Sequence, residues 1–152
     1  MRFWRICRQV HAADAFSGEG ARLYGGRWTS PGVRVVYAST SLALAAVEMF
    51  VKLEPNLRPD DLISIECAVP DETETQAVAV GSLPRTSNKA KDESLRGVGD
   101  TWVRARKTLA LYVPSAAIRG EWNVLINPAH HEFSKIEIRE PKSFEFDLRM
   151  FR

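Results

Sequence analysis

"VRVVYASTSLALAAVEMFVKLEP", Val33–Pro55, joins two elements of different character. VRVVYAS is short and β-branched, which reads as a strand. TSLALAAVEMFVKLEP reads as a helix of about three turns. Thr40 or Ser41 can cap its start and Pro55 stops it.

Strands dominate on either side of this pair. Residues 3–10 form a first strand, with Phe3, Arg5 and Cys7 alternating against Trp4, Ile6 and Arg8. HAADAFSGEGARLYGG reads as a short helical or irregular piece running into a Gly-rich loop. DLISIECAVP sets Ile63, Ile65, Cys67 and Val69 on one face of a strand. Residues 71–100 are polar and turn-rich and read as a long loop. DTWVRARKTLALYVP begins on an Asp cap, with a short helix near Trp102 and then a strand over Leu109–Val113. EWNVLIN is a strand ending at Asn127-Pro128, and KIEIRE and SFEFDLRMF alternate as two final strands. The expected fold is α+β, a single domain over residues 1–152, with helices against a mostly antiparallel sheet.

Composition narrows the classes. A chain of 152 residues is one domain by default and large enough for a core without staples. With 45% hydrophobic and 26% charged residues it is an ordinary globular composition rather than a disordered one. Its 21 basic residues are scattered among 19 acids, for a net charge of +2, so no nucleic-acid footprint stands out. Cys7 and Cys67 are too few for a disulfide framework or a cysteine metal site, and read as core residues of a cytoplasmic protein. The charges in MRFWRICRQV argue against a signal peptide, and no apolar run approaches a membrane span.

Glu48 raises the first question of chemistry. Leu42, Leu44, Val47, Met49, Phe50, Val51 and Leu53 surround it with apolar groups, and a buried carboxylate needs a partner. The alternative is a wet stripe of Ser41, Ala45, Glu48 and Lys52, with Glu48 paired to Lys52. Spacing leaves both readings open. Arg27 follows Gly25-Gly26, which permit close backbone approach. Its guanidinium could fork onto a phosphate or carboxylate, or simply be solvated in a turn. Tyr37 could stack on a flat heterocycle or belong to the core. Ser115 follows a proline at the end of one strand, Asn123 and Asn127 flank the next and His130 comes just after it; sites tend to lie at such strand ends, where turn caps are also common. GEGARLYGG lacks the dinucleotide glycine spacing, no G-x-S-x-G elbow occurs, and His130-His131 has no matching third ligand, so no metal is expected.

Three words carry a resemblance: GEGARLYGGRW, VVYASTSLALAAVE and VPSAAIRGEWNVLINPAH. In order, spacing and flanks the chain resembles the RES-domain family, the toxins of RES–Xre toxin–antitoxin pairs, nearly end to end. The family's Arg, Glu and Ser fall on Arg27, Glu48 and Ser115. The resemblance implies a fold similar to bacterial ADP-ribosyltransferase toxins. It implies an enzyme that breaks the nicotinamide–ribose bond of NAD+, with water or phosphate as acceptor, depleting NAD+ and arresting growth. Modification of a host protein is the enzymatic alternative, and a non-catalytic nucleotide-binding module the alternative of another class. The implied partners are NAD+ and an Xre-type helix-turn-helix antitoxin that occludes the site, with a homodimer possible in principle and no contact with nucleic acid or membrane. Arg27 would then hold the pyrophosphate or a ribose, Tyr37 stack on nicotinamide, Glu48 bind ribose hydroxyls, Ser115 bond the amide or a ribose, and Asn127 shape the pocket. Two words depart from the pattern: Lys52 stands where many members have His, and Asn127-Pro128-Ala129-His130-His131 replaces Asn-Pro-x-His-Pro.

Overall fold

A computed structural model describes residues 1–83 and 89–152. Its strands are β1 (Arg2–Arg8), β2 (Val36–Ser39), β3 (Leu62–Ala68), β4 (Thr75–Ala77), β5 (Ala110–Pro114), β6 (Trp122–Ile126), β7 (Glu137–Ile138) and β8 (Lys142–Ser143). The helices are α1 (Glu19–Tyr24), α2 (Leu42–Phe50) and α3 (Lys89–Ala105), with 3-10 turns between several elements. The strands form one sheet in the order β4-β5-β6-β2-β1-β3-β7, with β8 also on β3. Every pairing is antiparallel except β4 with β5, so the α+β expectation holds.

Alternation assigns the strand side chains to two faces. One face gathers Phe3, Cys7, Val36, Ala38, Ile63, Ile65, Cys67, Val124 and Ile126 into the main core. Burial there pushes the Cys67 thiol up to about 12. The opposite face is covered in two parts. Over β5 and β6, Leu111, Val113 and Leu125 meet Ala21, Trp28, Leu95 and Trp102. Over β1 and β3, Ile6 and Leu62 meet Ala45 of α2, with Phe144 and Phe146 against them.

A gap in the ladder runs between those two covers. β1 and β3 pair along their whole length, from Arg2–Ala68 to Arg8–Leu62. β2 and β6 pair from Val36–Ile126 to Ser39–Asn123. β1 and β2 meet only at Trp4–Ser39. The sheet therefore splays in its middle, and a cavity lies at the splay.

Five sequence expectations are corrected. The loop expected over 71–100 holds β4, a 3-10 turn at Val80–Ser82 and most of α3, which has 17 residues; residues 84–88 of that span lie outside the described residues. The polar helix buries only a narrow face, Leu95 and Trp102 among others, and its interior glycines lower its helix propensity. Asp100 lies inside α3 and caps nothing there. The two final strands reduce to β7 and β8: the Phe144 N–H still donates to the Leu62 carbonyl at 2.9 Å, and beyond it the alternation of Phe144 and Phe146 reflects packing against α2. Finally, α2 stops at Phe50, ahead of Pro55, and VRVVYAS is ladder-bonded only from Val36.

Candidate functional site

A cavity of about 900 Å³ opens at the splay, and Arg27, Tyr37, Glu48 and Asn123 all line it. β1 contributes Trp4, Arg5 and Ile6 to its floor. One wall is α2, and the other is α1 with the Gly25–Trp28 loop.

The α2 wall presents a carboxylate. Ser41 caps the helix by accepting the Leu44 N–H at 3.0 Å, which fixes where the turns begin. Glu48 is half-buried, and its Oε1 accepts two hydrogen bonds, from Ser115 Oγ and from Asn123 Nδ2, each 2.6 Å. Both donors are themselves held. Ser115 Oγ accepts the N–H groups of Ala117 and Ile118 at 3.1 and 3.0 Å, so its proton is left for Glu48. Ser39 Oγ donates to Asn123 Oδ1 at 2.7 Å, which turns the amide nitrogen towards the carboxylate. Oε2 takes no hydrogen bond among the described residues. Lys52 forms no ion pair with Glu48, because α2 has ended before it. The half-buried reading of Glu48 therefore prevails over the wet stripe.

The opposite wall presents a guanidinium. Gly25 sits at φ +68, a backbone conformation that favours glycine. At Gly26 a Cβ would stand 2.5 Å from the Tyr37 hydroxyl, so the loop lies directly on that ring. Tyr37 Oη accepts the Trp28 N–H at 3.1 Å and shares a hydrogen bond with Thr29 Oγ1 at 2.8 Å. Burial pushes the Tyr37 hydroxyl above its ordinary pKa. Tyr37 thus lines the cavity, while its hydroxyl end belongs to the loop. Arg27 itself is exposed and forms no ion pair among the described residues.

Sequence reading passed over Arg5 as a site residue. It is a floor residue whose Nη1 donates to the Tyr37 carbonyl at 2.8 Å, bridging β1 and β2 just where their ladder is lost. Burial lowers its pKa, opposed by the nearby Cys7 and Asp14. A charge between the buried Phe3 and Cys7 was its signal. Asn123 carried a similar one, an amide inside an apolar strand.

Asn127 lies away from the cavity. It is fully buried, donates to the Val103 carbonyl at 3.0 Å and accepts the Ala129 N–H at 3.0 Å, joining α3 to the turn after β6. His130, His131 and Glu132 bring their ligand atoms within 4.8 Å of one another. The Glu132 N–H donates to His130 Nδ1 at 3.1 Å. His130 Nε2 is buried with no hydrogen-bond partner among the described residues. No helix among the described residues is long and apolar enough to cross a membrane.

Comparison with known proteins agrees with this architecture. The chain is 37% identical to "Prs ADP-ribosylating toxin" of Sphingobium sp. (strain YBL2), over 99% of this chain and 96% of the relative. It is 31% identical to "Toxin Res" of Photorhabdus laumondii, over 97% and 94%. In fold it is similar to a chain of the crystal structure of the M. tuberculosis MbcT–MbcA toxin–antitoxin complex, with a TM-score of 0.65 at 16% identity over 95% of this chain and 84% of that one. The family model of the RES domain matches residues 2–148, and the chain belongs to the RES domain family.

Proposed function

We propose that this protein is a toxin that breaks the nicotinamide–ribose bond of NAD+ and passes the ADP-ribosyl group to water or phosphate. The observation carrying this reading is that Arg27, Tyr37 and Glu48 line one cavity, with the Glu48 carboxylate already fixed by two donors. The bond from ribose C1′ to the pyridinium nitrogen breaks, and its electron pair leaves on neutral nicotinamide. Positive charge develops on the ribose, as in glycoside hydrolysis. Glu48 Oε2 faces that charge and accepts a ribose hydroxyl, while Oε1 stays bound to Ser115 and Asn123. Such fixed opposite charge is the main source of rate in a site of this kind. The acceptor oxygen then bonds to C1′ and releases its proton to solvent. Arg27 holds the pyrophosphate, and Tyr37 bounds the nicotinamide end.

The names of the relatives support the toxin role, and the toxin–antitoxin complex found by fold supports an antitoxin partner. We take that partner to be an Xre-type antitoxin and the setting to be the cytoplasm. A second reading, transfer of ADP-ribose to a protein, is favoured by the name of the Sphingobium relative.

Purified protein incubated with NAD+, with and without phosphate, is expected to release nicotinamide together with ADP-ribose or its 1″-phosphate. Release only when a protein acceptor is added, with label on that protein, would select the second reading. Nicotinamide release under none of these conditions would leave only a binding module.

A further inference from the structure

Asp100 is a buried carboxylate that the chemistry above does not use. Only 7% of it is exposed, and it sits on α3, well apart in sequence from the residues it bonds. Its Oδ1 accepts the Ser30 N–H at 2.9 Å and its Oδ2 accepts the Ser30 hydroxyl at 2.6 Å. The preceding residue, Gly99, brings α3 onto the same loop. A Cβ there would stand 1.8 Å from the Trp28 carbonyl oxygen, so only glycine permits the approach.

From the other side, Tyr37 Oη holds the Trp28 N–H and Thr29. The turn itself is closed by a hydrogen bond from Gly26 N–H to the Thr29 carbonyl at 2.9 Å. Trp28 and Thr29 are buried, at 3% and 0% exposure. Arg27 alone in this turn projects freely, into the cavity. A long side chain on a fixed base loses less freedom on binding an anion than one on a mobile loop.

We infer that Asp100 is a positioning residue for Arg27. Through Ser30, and with Gly99 against Trp28, α3 sets the guanidinium at the height from which it engages the phosphates of the substrate. This inference rests on the NAD+ reading for its substrate, but the clamp itself is a property of the free protein.

Two measurements test it together. Amide hydrogen exchange in the free protein reads the loop, and steady-state kinetics with NAD+ read the site. Asp100→Ala is expected to speed exchange at Trp28 and Ser30 about tenfold or more, the loss of a charge-assisted pair, while β3 and β6 stay protected. KM for NAD+ is expected to rise about tenfold with kcat within about threefold, since binding rather than chemistry is affected. In an Arg27→Ala background, Asp100→Ala is expected to add nothing further to KM. Asp100→Asn keeps an acceptor for the Ser30 N–H and a donor for its hydroxyl, and is expected to restore both readouts. If Asp100→Ala does not fold, Ser30→Ala removes the hydroxyl half of the clamp and takes its place.

Unchanged exchange at Trp28 and Ser30 would overturn the inference. So would a KM effect of the same size with and without Arg27, which would make Asp100 a support of the fold alone. Should the wild-type protein leave NAD+ intact, the proposed function falls, and the exchange measurement still decides the clamp.

Discussion

The two walls of the cavity hold their charged groups in opposite ways. On α2 the head of the side chain is fixed: both donors to Glu48 Oε1 have partners of their own. On the Gly25–Ser30 loop the backbone is fixed, by Tyr37, Gly99 and Asp100, and the head of Arg27 is free. A carboxylate that must face a transient charge works best when it has nothing to reorganise. A cation that must find a flexible phosphate chain works best with a firm base and an adjustable head. The difference therefore matches the roles proposed for the two residues, and it can be broken from either side.

The largest effect is expected at the fixed head. Glu48→Gln keeps an Oε1 that accepts from Ser115 and Asn123, and replaces only the free oxygen by an uncharged NH2. NAD+ cleavage is expected to fall about 100- to 1,000-fold, the scale for removing one preorganised electrostatic group. The melting temperature should stay within a few degrees of wild type. Turnover comparable to wild type would show that the carboxylate charge faces no reacting centre.

An intermediate effect is expected at the fixed base. A methyl group at Gly26 would stand 2.5 Å from the Tyr37 hydroxyl and 2.7 Å from its ring carbon Cζ. That ring end is tied to Trp28 and Thr29 and cannot swing aside without losing both. Gly26→Ala is expected to lower stability by about 1–3 kcal/mol, the range for overpacking, in urea titrations. A variant as stable as wild type would mean that the loop is less closely held than its hydrogen bonds imply.

The same contrast explains what could be read from the residues. Strands β1 and β3 announce themselves by alternation, β2 by a short β-branched run, β5 and β6 as short apolar runs, and α2 by its cap and apolar run, so the helix that carries Glu48 was legible. The splay between β1 and β2 was not, since it depends on which strands meet rather than on either strand's composition. Nor was α3. Its glycines look like helix breakers until Gly99 is seen against the Trp28 carbonyl, and its acid looks like a cap until Asp100 is seen on Ser30. Residues whose reason lies in a distant partner carry little local signal. Asn127 shows the converse: a polar residue at a strand end, plausible as a site residue by position, spends its amide on Val103 and Ala129.

The smallest effect is expected at Lys52, where local spacing most invited a pairing. On a continued helix Lys52 would follow Glu48 by one turn, in the favourable order for an ion pair. The helix ends at Phe50, however, and Phe50 turns into an aromatic cluster with Phe146 and Phe151, at ring-centroid distances of 5.7 and 5.6 Å. The chain after it is redirected, and the Glu48 carboxylate is already occupied on Oε1 by better placed donors. Lys52→Ala should therefore change the free energy of unfolding by less than about 0.2 kcal/mol, below the roughly 0.3–0.5 kcal/mol of a formed pair on a helix. The difference in urea midpoint between the variant and wild type should also be insensitive to salt, because Lys52 forms no ion pair to screen. A larger loss that vanishes in high salt would restore the wet-stripe reading. It would also mean that Glu48 divides its time between Lys52 and the cavity, and the contrast between a fixed carboxylate and a free guanidinium would fail at its stronger half.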